Sequence, residues 1–266
     1  MAETYKKSST RDTFESLVVT VILAVFGTTF VLQAFKIPTG SMETTLLIGD
    51  HLLVNKFAFA DQPGWVRRIL PYRGLHRGDE LVFKFPGVEV DQGEPGEHFV
   101  KRVIGVPGDR IRIQNRQVFV NGVASQEPYL HHAAGGMNTP CSPERFASMS
   151  CPGDSFPPAV SEYLSGSTAA WTEDLQNYVK NGELLVPSDS YFVMGDNREQ
   201  SWDSRFWGFV PRSLISGRPV LVYWSYETPR GEYTQNSIGD KISQLFDLII
   251  HFPTKTRWQR TLKIVR

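Results

Sequence analysis

The sequence predicts a mainly β protein, an antiparallel β domain with a small inserted subdomain, preceded by one N-terminal transmembrane helix. Three observations predict it. Residues 16–35 (SLVVTVILAVFGTTFVLQAF) carry no charge. Beyond them, apolar residues recur in short runs rich in β-branched and aromatic side chains and broken by Gly, Pro and Asp, which is a strand pattern. Between 126 and 181 the composition shifts to Ser, Gly, Pro and Ala, as expected of an insertion between strands.

At a rise of ~1.5 Å per residue, the 16–35 run as a helix matches the ~30 Å of a hydrocarbon core. A cleavable leader is the rival, because Lys6, Lys7 and Arg11 precede the run. The run is longer than the ~7–15 residues of a leader core. Its end, Val31-Leu32-Gln33-Ala34, also lacks a small residue at position 32, so an uncleaved anchor is preferred. A buried helix fits poorly, since the segment is apolar on every face and contains Gly27 and several β-branched residues. Basic residues ahead of a span stay in the cytoplasm, which places the chain after Lys36 outside. The expected organisation is a cytoplasmic tail at 1–13, an anchor at 14–35, a β domain built from 36–125 and 182–266, and an inserted subdomain at 126–181.

Within the β domain, strands are expected near 50–59, 80–85, 98–106, 110–113, 117–120, 191–194 and 219–226. Val106-Pro107-Gly108-Asp109 and Asn115-Arg116 supply turn chemistry between three of them. The insertion holds one short helical candidate at 172–180. From 241 to 251, Ile242, Leu245, Phe246, Leu248, Ile249 and Ile250 recur at helical spacing. Packing against the body is preferred there over an interface.

Twenty-eight basic residues balance twenty-eight acidic ones, so no global field marks a nucleic-acid partner or a polybasic membrane patch. The two cysteines, Cys141 and Cys151, lie in a Pro/Gly/Ser-rich stretch. An extracytoplasmic compartment would allow them to form a disulfide, with two free thiols as the alternative. Their spacing is not C-x-x-C and no histidine cluster accompanies them, so no metal site is expected.

Chemistry is expected at Ser41 in Ile37-Pro38-Thr39-Gly40-Ser41-Met42, directly after the apolar run: a hydroxyl held at a membrane surface. Serine needs a base to take its proton. None of the six histidines stands in a recognisable triad motif. Lys101, within the apolar run Phe99-Val100-Lys101-Arg102-Val103-Ile104-Gly105, is the chemical alternative. Burial would disfavour its charge, and a shift of ~2–3 units toward neutrality costs about 3–4 kcal/mol. The competing reading is a lysine that alternates outward into solvent. Arg102 follows directly, so period two lets only one of the pair face a core.

Four motifs in this order, Ser41-Met42, Gly78-Asp79-Glu80-Leu81-Val82-Phe83, Lys101 through Asp109, and Gly195-Asp196-Asn197-Arg198-Glu199-Gln200-Ser201-Trp202-Asp203-Ser204-Arg205, resemble those of the bacterial type I signal peptidases. The resemblance covers the anchor and 36–59, 78–86, 99–123 and 190–226, roughly half of the chain. Those membrane-anchored serine/lysine proteases remove signal peptides from exported proteins at the outer face of the bacterial inner membrane, without a metal, another cofactor or a histidine.

The resemblance implies that Ser41 attacks the scissile carbonyl and that Lys101 accepts its proton and then activates the deacylating water. Ser201 would orient the lysine. The hydroxyl of Thr39 and the N–H of Ser41 would stabilise the oxyanion. Asp203 and Arg205 would support the loop as a charged pair, and Asp196 would pair with Arg102. Phe35, Ile37, Pro38, Met42, Leu46 and Val100 would line shallow apolar pockets for small side chains one and three residues before the cut. Implied partners are signal peptides of exported preproteins, membrane lipid and the nearby secretion translocon, with no nucleic acid. The implied location is a single pass through the inner (cytoplasmic) membrane with the catalytic domain periplasmic or extracytoplasmic.

Two positions depart from the family pattern. Threonine stands at Thr39 where many members have serine, keeping the hydroxyl but restricting χ1. Thr44 stands where proline is usual, freeing one φ. Larger Gram-negative members often have two spans, whereas one is legible here. Two other readings are open: a specialised serine/lysine processing peptidase for a dedicated substrate, and a membrane-tethered peptide-binding module without catalysis. The second has no need for Ser41, Lys101 and Ser201 together.

Overall fold

The computed structural model describes residues 9–57, 59, 74–87, 96–131, 155–158, 169–229 and 237–265. Helix α1 (Ser9–Phe26) leads through a π-turn (Gly27–Val31) into strand β1 (Leu32–Lys36). The helix expected through residue 35 therefore stops short. Residues 32–36 are claimed by a neighbouring strand, β2 (Asp50–Asn55), which pairs with β1 antiparallel and sets Phe35 opposite Leu52. No helix among the described residues is long and apolar enough to cross a membrane. Arg11, Asp12 and Glu15 occupy the first two turns of α1, and the strand removes its last residues. What remains still exposes Phe14, Leu17, Val19, Ile22, Leu23 and Phe26.

The β body forms two antiparallel sheets among the described residues. The larger contains β1, β2, β3 (Glu80–Lys84), β4 (His98–Gly105), β11 (Ser190–Met194), β12 (Val210–Pro211), β13 (Ile215–Ser225) and β14 (Lys263–Ile264). Its order is β1-β2-β13-β3-β4-β11-β12, with β14 also on β13. The smaller sheet contains β5 (Arg110–Gln114), β6 (Gln117–Val120), β7 (Val123–Ala124), β8 (Ser155–Phe156), β9 (Val179–Lys180) and β10 (Glu183–Leu185). Each strand expected from the sequence is found, with ends shifted by a few residues. The short pairings β7 to β10, β12 and β14 are too brief to leave an alternation pattern.

Helix α2 (Ala169–Tyr178) buries Trp171 and Leu175 against Ile111, Ile113, Phe156 and Phe192. The described parts of 126–181 thus complete the smaller sheet and its core: β8 pairs with β5, and β9 with β10. Cys141 and Cys151 lie outside the described residues. A four-residue helix, α3 (Ser204–Trp207), follows the polar 195–203 segment, and α4 (Ile238–Lys255) follows β13. The packing expected of α4 is partial among the described residues: Leu248 is half-buried and the Phe252 ring lies 6.0 Å from Trp224, but none of its residues is fully buried.

Two further apolar clusters flank the region of Ser41. Leu81, Phe83, Phe85, Val103, Trp202 and Trp207 form an aromatic-rich one. Ile37, Met42, Leu46, Leu52, Val54 and Val82 form the other. The loop between β1 and β2 is closed by Ile37 N donating to Asp50 O at 2.8 Å and Gly49 N to Ile37 O at 2.9 Å. Gly49 has φ +86°, and a Cβ there would stand 1.9 Å from Tyr226 O, so only glycine fits.

Candidate active site

Ser41 lies in the turns after β1, with Glu43 N donating to Gly40 O and Leu46 N to Met42 O. Lys101 lies on β4, in register with Leu81 of β3. Both are buried, Ser41 at 8% and Lys101 at 5% exposure, and Lys101 Nζ donates to Ser41 Oγ at 2.6 Å. Burial among apolar neighbours pulls the lysine down from 10.5 to about 8. The charges of Asp203 and Asp196 oppose that fall, whereas Arg205 assists it.

Period two does send Lys101 and Arg102 to opposite faces, yet both are buried, contrary to the expectation that one would be. The first residues of the 126–181 segment cover the second face: the Tyr129 ring lies 3.9 Å from the Arg102 guanidinium. Arg102 grips Asp196 with two bonds of 2.7 Å and reaches Glu80 at 3.0 Å. Burial alone would lower its pKa, but Asp196 and Glu80 more than compensate and hold the guanidinium charged.

The segment after β11 is fastened to the Ser41 loop by its backbone. Asn197 N donates to Ser41 O at 3.1 Å, and Asn197 Nδ2 to Gly40 O at 3.2 Å. Thr45 Oγ1 donates to Asp196 Oδ2 at 2.6 Å. Asp203 and Arg205 pair at 2.8 and 2.9 Å, and Gly195 N donates to Asp203 Oδ2 at 3.0 Å. Burial opposes the charge on Asp203, but Arg205 and the Gly195 N–H keep its carboxyl below the usual range. Gly195 sits between the two loops, where a Cβ would lie 2.3 Å from Ser201 Oγ and 2.4 Å from Ser41 O.

Ser201 is buried, and its Oγ accepts from Gly195 N at 3.1 Å. The expected Ser201–Lys101 hydrogen bond is not formed among the described residues; the lysine's partner is Ser41. Thr39 lies exposed two residues before Ser41. Among the six apolar residues expected to line pockets, Ile37, Met42 and Leu46 are fully buried, whereas Phe35, Pro38 and Val100 are half-buried. Ile37, Met42 and Leu46 belong to one core cluster, and Phe35 and Val100 pack against it. His51 stacks on Trp224 and His98 lies against Phe35, away from the Ser41–Lys101 contact. Among the described residues, no group of three or more His, Cys, Asp or Glu could hold a metal ion.

Sequence reasoning assigned no role to Thr45, Gly195, Asn197 or Tyr129. Gly195 and Asn197 stand in the polar motif itself, so their spacing carried a signal. Thr45 and Tyr129 become visible only once Arg102 and Asp196 are brought together.

The antiparallel β body thus holds a buried serine against a buried lysine. The family described as signal peptidase, peptidase S26, matches residues 10–224, and that match makes the chain a serine peptidase. The chain belongs to that family. Signal peptidase I of Pseudomonas fluorescens is 31% identical over 221 residues, covering 78% of this chain and 70% of that one. A probable signal peptidase I-2 of Synechocystis is 32% identical over 210 residues, covering 79% and 71%. A crystal structure of a signal peptidase I from Enterococcus faecalis is 26% identical and covers 55% of this chain and 97% of that one, at a TM-score of 0.33, too low to bear on the fold.

Proposed function

We propose that this protein removes signal peptides from exported preproteins, with Ser41 as nucleophile and Lys101 as general base. The observation that supports this reading is the 2.6 Å contact between two buried groups, with the lysine pulled down to about 8. At pH 7 roughly one lysine in ten is then neutral, against about one in three thousand for an unperturbed one. In the neutral form, Nζ accepts the Ser41 proton as Oγ bonds to the scissile carbonyl carbon. The carbonyl electron pair moves onto oxygen, where the Ser41 N–H and the Thr39 hydroxyl donate. The C–N bond then breaks, and the proton on Lys101 passes to the leaving amine. Lys101, neutral again, takes a proton from water, whose oxygen attacks the acyl-serine ester. Cleavage of that ester returns the proton to Ser41 Oγ.

Half-buried Phe35 and Val100, packed against Ile37, Met42 and Leu46, together with half-buried Pro38, support shallow apolar pockets for small side chains one and three residues before the cut. An extended substrate would add main-chain hydrogen bonds beside the Ser41 loop. Helix α1, with exposed apolar residues around its circumference and a continuation through the π-turn to Val31, fits a single anchor in the inner membrane. The β domain would then lie outside the cytoplasm, close to the emerging preprotein and the translocon. The test is cleavage of a purified preprotein carrying alanine at both positions. Ser41→Ala and Lys101→Met should each lower turnover at least about 10³-fold while circular dichroism stays unchanged. Full activity in either variant would sink the mechanism.

A further inference from the structure

Helix α4 lies beyond residue 224, where the family match ends, and its outward face has no cover among the described residues. One side is fastened to the end of β13: Tyr226 Oη donates to Asp247 Oδ2 at 2.8 Å, and the Trp224 and Phe252 rings lie 6.0 Å apart. The other side carries Ile242, Leu245, Phe246, Ile249 and Ile250, each 51–66% exposed. Their spacing of three, four, seven and eight residues from Ile242 makes one continuous stripe. A capping box of Ser237 and Asp240 at the start, and Lys255 in the last turn, complete the helix ends, so α4 is specified as a helix without a buried face.

Two observations choose what covers the stripe. The whole chain is neutral, but residues 237–265 carry five cations against Asp240 and Asp247; Lys255 pairs with Asp247 and Arg260 with Asp50, which leaves Lys241, Arg257 and Lys263 against Asp240. That excess suits an anionic surface. The row of strands that starts at the end of the proposed anchor also reaches this helix: Lys36 of β1, His51 of β2 and Trp224 of β13 stand in register, and the Trp224 ring lies 6.0 Å from Phe252 on the fastened side of α4. Trp258, 58% exposed just past α4, is a residue type favoured where bilayer meets water.

We infer that α4 lies in the plane of the membrane, its stripe sunk into the boundary between headgroups and acyl chains, as a second lipid contact beside α1. The inference rests on the anchored reading only in that α1 brings the domain to the bilayer. Two attachments at separate places on one sheet would stop the catalytic domain from pivoting about its anchor and hold Ser41 at a constant height.

The test uses the full chain in nanodiscs of phosphatidylcholine and phosphatidylglycerol. Cys141 and Cys151 are replaced by serine, and a nitroxide is attached through Ile249→Cys. Molecular oxygen should relax the label more strongly than a water-soluble nickel chelate, at a depth of ~5–10 Å. In Phe246→Asp carrying the same label, the balance should swing toward the chelate. Carbonate extraction reports the anchor separately. A water-exposed label on a carbonate-resistant protein overturns the inference and leaves the anchor standing. Spin–spin broadening between labels would identify a second copy as the cover and also overturn it. A lipid-exposed label on a carbonate-extractable protein supports α4 and defeats the anchor.

Discussion

Lys101 is buried with little to offset the loss of water, and that burial gives it two consequences of opposite sign. In the proposed mechanism the neutral amine is the working form, so kcat/KM should climb with pH and level off above about 8. A pH–rate profile on a preprotein without titrating groups near the cut checks this; a profile flat from 6 to 9 would remove Lys101 as the base. For stability, the folded pKa lies below the unfolded 10.5. Below about 8 both states are protonated, and the folded state bears the whole penalty, on the order of 3 kcal/mol. As pH rises from about 8 to 10.5 the penalty fades, because the folded protein releases its proton first. Lys101→Met should therefore be more stable than the parent in urea at pH 6, with the gain shrinking toward pH 10.

Element by element, the site is two loops held in contact, one after β1 with Ser41 and one after β11 with Gly195 to Asp203. Gly195 allows the approach, since a Cβ would meet the Ser41 carbonyl and the Ser201 hydroxyl. Gly195→Ala should part the loops and lower kcat on the order of 10²-fold, with the fold kept by near-ultraviolet circular dichroism. The strands that carry these loops were legible as short β-branched and aromatic runs, and Ser41, Lys101 and the Asp203–Arg205 pair were legible as motifs. The end of the N-terminal helix was not. Leu32 to Phe35 extend the uncharged run of the helix with no break signal before them, and pairing with β2 makes Leu32–Lys36 a strand.

Across the whole molecule, the C-terminal tail reaches back to the Ser41 loop. Arg260 donates to Asp50 Oδ2 at 2.6 Å and to Thr45 O at 3.0 Å, and Ser225 Oγ donates to Asp50 Oδ1 at 2.6 Å. Asp50 is fully buried. Arg260→Ala leaves that carboxylate without its cation and should cost about 3–5 kcal/mol, read by urea unfolding. The outward face of α4 was equally hidden in the sequence, because helical periodicity announces a stripe but not what the stripe meets. By itself the sequence determined a mainly β chain, an apolar N-terminal segment and a serine and lysine in ordered motifs, all of which depend on local pattern. Only the tertiary structure decided that Lys101 and Arg102 are both buried, that Ser201 engages Gly195, and that the apolar stripe of α4 has no cover among the described residues. Those outcomes turn on which surfaces meet across long sequence separations, and period and composition along one segment carry no record of the other side.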